Sequence, residues 1–176
     1  SATGSKGRIT SIKSNPNVLY VIANTEVYRS ADNGLTWSSV KYNLPGYNHT
    51  EIIADEFFSA NEMVFVASGG SVYYKTATAT SWTSYSTGLP SRTTIVNMSI
   101  YNDSTANTLL RAFTYGRGVW ETPISSLRAL AANFAANNTT PCLGANVTFS
   151  NLSTGSYTTS SWSFPGGTPS TSTATN

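Results

Sequence analysis

The stretch that decides the fold of this chain is Tyr28-Arg29-Ser30-Ala31-Asp32-Asn33-Gly34-Leu35-Thr36-Trp37. Its first residues favour a strand, and its closing Thr and Trp begin another. The Asp-Asn-Gly between them suits a tight turn, because Asp and Asn accept hydrogen bonds from nearby backbone and Gly adopts left-handed dihedrals without steric cost. The stretch therefore predicts two short strands joined by a polar turn.

A repeat of 45 residues extends outward from this stretch. Trp37 and Trp82 are 45 residues apart, and so are Pro45 and Pro90. A period of 40–50 residues with four short strands per unit is typical of the blades of a β-propeller. The expected strands lie at 9–12, 18–23, 27–30 and 36–40 in the first unit, and at 51–54, 63–67, 72–75 and 81–85 in the second.

The polar turn resembles the Asp-box of sialidase-like (BNR) and sortilin-like β-propellers, with the pattern Ser-x-Asp-x-Gly-x-Thr-Trp. The resemblance implies that the turn braces the last two strands of a blade at its periphery, away from the ligand. In the second unit Ala77 and Ala79 replace the Asp and Gly, so the box is expected to have lost its bracing side chain there. The five matching positions are Ser30, Asp32, Gly34, Thr36 and Trp37.

A third unit follows, with strands expected at 95–100, 108–113 and 118–121. Residues 115–121 look like the closing blade of secreted Asp-box propellers, and no fourth strand is expected after Pro123. A ring takes typically four to eight blades. Residues 1–127 are therefore expected to be the C-terminal blades of a longer propeller. The remainder of that propeller or another protein chain would cover the open blade edges.

Residues 128–176 carry a sequence pattern that differs from the 45-residue repeat. Ala132-Asn133-Phe134, the run 147–155 and the run 161–167 resemble a PKD domain, a small immunoglobulin-like sandwich of bacterial surface proteins. Such a sandwich needs about seven strands and about three are expected here, so this is the N-terminal part of one. Residues 127–136 read either as a helix, by propensity, or as a linker into a strand. The predicted fold is all-β: two full four-stranded blades plus a closing partial blade, then the start of an immunoglobulin-like sandwich.

The composition excludes several classes of function. Charged residues make up 10% of the chain, the net charge is +2 and the arginines are scattered, which argues against nucleic-acid binding. No apolar run approaches the roughly 20 residues of a membrane span. A propeller followed by a PKD domain resembles secreted type IX system cargo of gliding bacteria. That resemblance implies an extracellular or cell-surface protein.

No cofactor or metal site is expected. His49 is the sole histidine, so a His-based triad or His-rich metal site has no support. Cys142 is the sole cysteine, and the sequence leaves open whether it is a buried free thiol or pairs outside the chain.

Five residues are candidate contact or modification sites. Asp55 and Glu56 follow the innermost strand of the second blade and could reach a channel mouth, or form a charged loop. Tyr115 and Arg117 suggest a sialidase-like cluster, or simply a hairpin turn. Asp103-Ser104-Thr105 resembles a bacterial O-glycosylation acceptor, with Ser104 as the acceptor. Five tyrosines could also stack on glycans, or could be packing residues on strands whose hydroxyl stays in water. They are Tyr42, Tyr47, Tyr85, Tyr101 and Tyr157.

No residue is assigned a catalytic role, and the chain is not expected to be an enzyme by itself. The expected function is a non-catalytic segment of a secreted multidomain cell-surface protein, with the propeller as a binding or display scaffold and the PKD domain as a spacer. The alternative is the C-terminal part of a secreted glycoside hydrolase, sialidase-like or xyloglucanase-like, whose catalytic residues lie mainly in other blades.

Overall fold

The computed structural model describes residues 7–57, 62–90, 93–102, 108–127, 132–142, 144–153 and 159–174. The chain divides into two compact units, Ser1–Ile124 and Ser125–Asn176. Antiparallel sheets build both units, and among the described residues the one helical element is a 3-10 turn, Ser125–Leu127. The predicted all-β fold is confirmed, whereas the domain boundary at 127/128 stays a prediction. Within the described part of the chain, no helix has the length and apolar character to span a membrane.

The first sheet, blade 1, has four antiparallel strands in sequence order. Val18, Tyr20 and Ile22 alternate along its second strand and are buried, which is the period of a strand with one covered face. The outermost strand has two residues, fewer than the predicted 36–40, because Thr36 is bound to the preceding turn. The strands are β1 (Arg8–Ile12), β2 (Asn15–Ala23), β3 (Glu26–Ser30) and β4 (Ser38–Ser39).

The second sheet, blade 2, repeats this order. All six residues of its second strand are buried, because blade 1 covers one face and the third sheet covers the other. Its outermost strand is again two residues long, fewer than the predicted 81–85. The strands are β5 (His49–Ala54), β6 (Met63–Ser68), β7 (Ser71–Thr76) and β8 (Thr83–Ser84).

The third sheet, blade 3, has three strands, and in the described residues none pairs beyond its outer strand. The innermost strands of neighbouring blades lie side by side and run in the same direction: the Ala54 N–H near the end of β5 donates to Thr10 Oγ1 in β1 at 3.2 Å. The strands are β9 (Ile95–Asn102), β10 (Thr108–Thr114) and β11 (Gly118–Pro123).

One apolar cluster joins blades 1 and 2. Trp82 lies in it at 3% exposure, and its indole Nε1–H donates to the carbonyl of Val40 at 2.8 Å. The Asn43 side-chain amide forms two hydrogen bonds with the backbone of Trp82: it accepts from the N–H at 2.6 Å and donates to the carbonyl at 2.9 Å. Side chains from both blades contribute: Ile12, Val18, Tyr20, Ile22, Val27, Val40, Leu44, Ile52, Val64, Val66 and Trp82.

The second unit contains two separate two-stranded sheets. Four aromatic rings meet at centroid distances of 5.0–6.5 Å and line an open cleft of about 970 Å³. Residues 134–136 are a strand, so the linker-into-strand interpretation holds at this point and the helix does not. The strands are β12 (Phe134–Ala136), β13 (Phe149–Asn151), β14 (Trp162–Ser163) and β15 (Thr171–Ser172); the rings are Phe134, Phe149, Trp162 and Phe164.

Candidate functional site

The polar turn of blade 1, residues 30–37, is held by its own side chains. Asp32 Oδ1 accepts from the Thr36 N–H at 2.9 Å, and Asp32 Oδ2 accepts from the Thr36 hydroxyl at 2.5 Å. Ser30 Oγ donates to Asp32 Oδ1 at 2.7 Å and accepts from the Gly34 N–H at 2.8 Å. The Trp37 indole donates to the Gly34 carbonyl at 3.0 Å. The predicted Ser, Asp, Gly, Thr and Trp thus meet in one local network.

This network fixes the charge of Asp32. Hydrogen bonds from the Thr36 hydroxyl and N–H, and from the Ser30 hydroxyl, lower its pKa to about 2. Gly34 has φ +88°, a conformation that a side chain would strain. The corresponding turn of blade 2 carries Ala77 and Ala79, and it closes through backbone alone, from the Ala79 N–H to the Thr76 carbonyl at 3.2 Å.

The predicted contact residues lie in loops at opposite ends of the strands. We call the side of the propeller at which β1, β5 and β9 begin the start face, and the side at which they end the end face; neither is a flat face of a sheet. Asp55 and Glu56 follow the last residue of β5, on the end face with the polar turn. Tyr115 and Arg117 occupy the β10–β11 hairpin beside the beginning of β9, on the start face. At about 3.3 Å per residue, a six-residue strand separates the faces by roughly 17 Å, so these four residues do not form one site.

Of these four residues, Asp55 has a structural role in its own loop. The Asp55 side chain is buried and accepts from the Phe57 N–H at 3.1 Å, which shapes the loop, whereas Glu56 is exposed. Tyr115 and Arg117 are exposed, and the Thr114 hydroxyl closes their hairpin by donating to the Gly118 carbonyl at 2.6 Å. Ser104 lies outside the described residues.

The start face also carries a tyrosine that the sequence singled out only among five. The ring of Tyr47 lies against the Gly69-Gly70 turn, so closely that a Cβ on Gly69 would collide with it. The ring is nevertheless 63% exposed. Both glycines have positive φ. The only signal for this site in the sequence was the Gly-Gly pair between two predicted strands. Tyr47 is therefore an exposed aromatic ring backed by the backbone of this turn.

A buried carboxylate joins the three innermost strands, and the sequence reading did not assign it a role. Glu51 on β5 is 6% exposed. Its Oε1 lies 3.8 Å from Arg8 Nε on β1, and its Oε2 accepts from Asn97 Nδ2 on β9 at 3.2 Å. No sequence spacing marks these three residues as neighbours, because they come from three different repeats.

A family described as the DUF6242 beta propeller domain matches residues 1–122. The chain belongs to this family. The predicted β-propeller is thereby confirmed, while the Asp-box, PKD and type IX secretion assignments stay predictions. The chain is also similar to the GH74 enzyme of Niastella koreensis, at 21% identity and a TM-score of 0.41. That match covers 65% of this chain and spans 17% of the enzyme. No curated protein matches the chain.

Most carboxylates in the described part of the propeller have partners within the protein. Glu62 bridges blades: it accepts from the Tyr20 hydroxyl at 2.7 Å and from Arg29 at 2.5 and 3.0 Å. Burial opposes ionisation of Glu62, but these hydrogen bonds outweigh it and lower its pKa. The Lys41 ammonium likewise lowers the pKa of Glu26, at 2.8 Å.

Glu121 also has a partner within the protein, because Arg111 Nε lies 2.5 Å from its Oε2. Seven acids lie in the described residues, and six of them contact other groups of the protein, whereas the seventh, Glu56, is exposed.

The remaining polar residues form no metal centre in the described part of the propeller. His49 is buried at the start of β5, and burial lowers its pKa, so the neutral imidazole is favoured. Lys75 is buried near the rings of Tyr20, Tyr42 and Trp82 at 5.8–6.0 Å, and burial lowers its pKa too. In the second unit Cys142 is exposed, so the buried-thiol alternative is wrong.

Proposed function

We propose that this chain is a non-catalytic part of a secreted, multidomain bacterial surface protein, in which the propeller is a binding scaffold and the second unit a PKD-like spacer. The observation that carries the proposal is the use of the carboxylates. A glycosidase needs a carboxylic acid of raised pKa opposite a second carboxylate. Here the pKa values of Glu26, Asp32 and Glu62 are lowered by partners within the fold.

The ligand class that we propose is a glycan, bound on the start face at Tyr47. A tyrosine ring offers a flat apolar face to the C–H side of a sugar and keeps a polar tip in water. The Gly69-Gly70 turn supports the back of the ring, so little freedom remains to be lost on binding. This face lies opposite the polar turn, which agrees with the peripheral, ligand-distant position implied by the Asp-box resemblance.

The test is a set of matched variants titrated with a xyloglucan oligosaccharide and with sialyllactose. Tyr47→Ala removes the ring and should lower the affinity at least tenfold, whereas Tyr47→Phe keeps the ring and most of the affinity. Gly69→Ala displaces the ring and should resemble Tyr47→Ala. Tyr101→Ala, at another exposed tyrosine, is the control. Unchanged affinity in Tyr47→Ala, or no binding of either glycan, would reject the site.

The rival function is part of a glycoside hydrolase, and Glu51 is the residue that favours it. This carboxylate is buried on the innermost strand, between Arg8 and Asn97. If the protein hydrolyses either oligosaccharide, and Glu51→Gln abolishes turnover while the urea unfolding midpoint is kept, the non-catalytic proposal is wrong. We expect that neither the parent protein nor the Glu51→Gln variant hydrolyses either oligosaccharide.

A further inference from the structure

The imidazole of His49 is buried between blade 2 and the β2–β3 turn of blade 1. His49 is the first residue of β5 and is 6% exposed. Its backbone N–H donates to the carbonyl of Asn24, in that turn, at 2.8 Å. In the strand register it lies opposite Ser68, the last residue of β6. The ring is therefore held where the two blades meet at the start face.

Little around this ring can balance a positive charge. Among the described residues neither Nδ1 nor Nε2 has a hydrogen-bond partner, and Ser68 opposite is uncharged. The charged groups that act on the ring are Glu26 and Lys41 of blade 1, which pair with each other at 2.8 Å. Burial is the largest cause and lowers the pKa of His49, and Lys41 lowers it too. The Thr25 backbone lies near the ring without the geometry of a hydrogen bond, and together with Glu26 it raises this pKa by less.

His49 also anchors the loop that carries Tyr47. Leu44 and His49 are buried, whereas none of the four residues between them is. The contacts of this loop fall on adjacent residues of blade 2, since His49 lies opposite Ser68 and the Tyr47 ring lies against Gly69. A Cβ on Gly69 would be 2.4 Å from that ring. Residues 47–49 thus lie along residues 68–69, and the turn supports the Tyr47 ring only while the imidazole stays buried.

We propose that His49 is a positioning residue for Tyr47 and makes the glycan site sensitive to acid. Protonation places a charge where no counter-charge is free to meet it, so residues 47–49 leave Ser68 and Gly69, and the Tyr47 ring loses its support. The inference rests on the glycan site proposed above and adds a regulation of that site.

The direction of the effect follows from where the proton binds more tightly. The pKa of His49 is lower when the ring is buried than when it is released, so acid favours release. The buried position is fully populated above pH 6.5, the ordinary value for His, and is lost as the pH falls through the lowered value. Glycan affinity should fall in the same range.

The experiment follows His49 directly, because the chain has one histidine. In a proton–carbon NMR titration of the parent protein, the Cε1–H signal should have a midpoint below 6.5, the ordinary value. Over the same range, hydrogen exchange of the His49 N–H, corrected for the intrinsic rate, should accelerate several-fold. The reference is the Asp55 N–H just beyond the other end of β5, which donates to the Met63 carbonyl at 2.8 Å. Affinity for the xyloglucan oligosaccharide or for sialyllactose should be at least threefold lower at about pH 5 than at about pH 7.5, the range in which His titrates.

Matched variants assign the effect to the imidazole. His49→Leu keeps an apolar anchor without a titratable ring, so its affinity should be the same at both pH values. Lys41→Met should raise the midpoint of the His49 signal and Glu26→Gln should lower it, because these charges act on the ring in opposite directions.

A His49 midpoint at or above 6.5 would overturn the proposal. So would exchange of the His49 N–H that keeps pace with Asp55 at both pH values, and both results come from the parent protein without any variant. Loss of affinity in acid that persists in His49→Leu would also reject it. If neither glycan binds at either pH while the exchange responds, the glycan site is rejected, and the placement of residues 47–49 by His49 stands.

Discussion

Trp37 and Trp82 occupy the same position of two successive repeats, yet they are used differently. The Trp37 indole donates to Gly34 in its own turn and is 39% exposed. The Trp82 indole donates to Val40 in the neighbouring blade and is 3% exposed. The repeat therefore specifies the blade, whereas the neighbouring blade determines how far each side of it is buried.

The turns that precede these two tryptophans differ in the opposite direction: the less buried blade has the more hydrogen-bonded turn. In the described part of the chain, blade 1 leaves Leu19 and Val21 half-buried on one side of its sheet, and it keeps the Asp32 network, which holds its last strands together locally. Blade 2 has replaced that Asp with Ala77, and its strand β6 is buried throughout. Tertiary packing on both faces can thus stabilise a blade whose local turn has lost its hydrogen bonds, because burial outweighs local propensity.

The largest expected effect is the difference in stability loss between substitutions at the two tryptophans. Trp82→Ala leaves a cavity between blades and should lower the free energy of unfolding by about 3–5 kcal/mol, the usual range for a buried aromatic. Trp37→Ala removes a half-exposed ring and should lower it by about 1 kcal/mol. Urea unfolding followed by far-UV circular dichroism measures both. Equal losses would mean that the two positions are buried alike in solution.

The local strands and turns were predictable from the sequence because they depend on short-range chemistry. The 45-residue period placed Trp82 and the strands of blade 2, and the Asp-Asn-Gly run predicted the turn at Asp32. The outermost strands were overestimated, since β4 and β8 are two residues each. The contacts of Glu51 with Arg8 and Asn97 were missed because these residues come together only when three repeats pack. The position of Tyr47 against the Gly69-Gly70 turn was missed because it depends on the pairing of β5 with β6, which brings His49 opposite Ser68.

The second effect tests a contact that one blade makes and the other does not. Glu62 reaches from blade 2 to Arg29 and Tyr20 of blade 1, whereas its repeat equivalent Asn17 contacts its own blade, accepting at its carbonyl from the Asn33 N–H. Glu62→Gln leaves Arg29 without its counter-charge and should lower the free energy of unfolding by about 2 kcal/mol, less than for a fully buried pair.

The partly exposed ion pair within blade 1 gives the matched control for Glu62. Glu26→Gln breaks the contact with Lys41 and should not move the urea midpoint measurably, as is usual at the surface. The Glu62 effect should also depend on pH. Since the pKa of Glu62 is lowered in the folded state, its contribution is complete above pH 4.5, the ordinary value, and is lost as the pH falls through the folded value. An effect of Glu62→Gln that is the same at pH 3 and pH 7 would contradict the ion pair.

The smallest effect concerns the turn that distinguishes the blades. Asp32→Ala makes blade 1 resemble blade 2 at Ala77, and it should lower the melting temperature by a few degrees. The loss should be constant above pH 3.8, the ordinary value for Asp, and should shrink as the pH falls toward 2, where the parent carboxylate is itself protonated. Asn33→Ala, at the neighbouring turn position with φ 58°, is the comparison that separates backbone strain from charge, because its cost should not vary with pH.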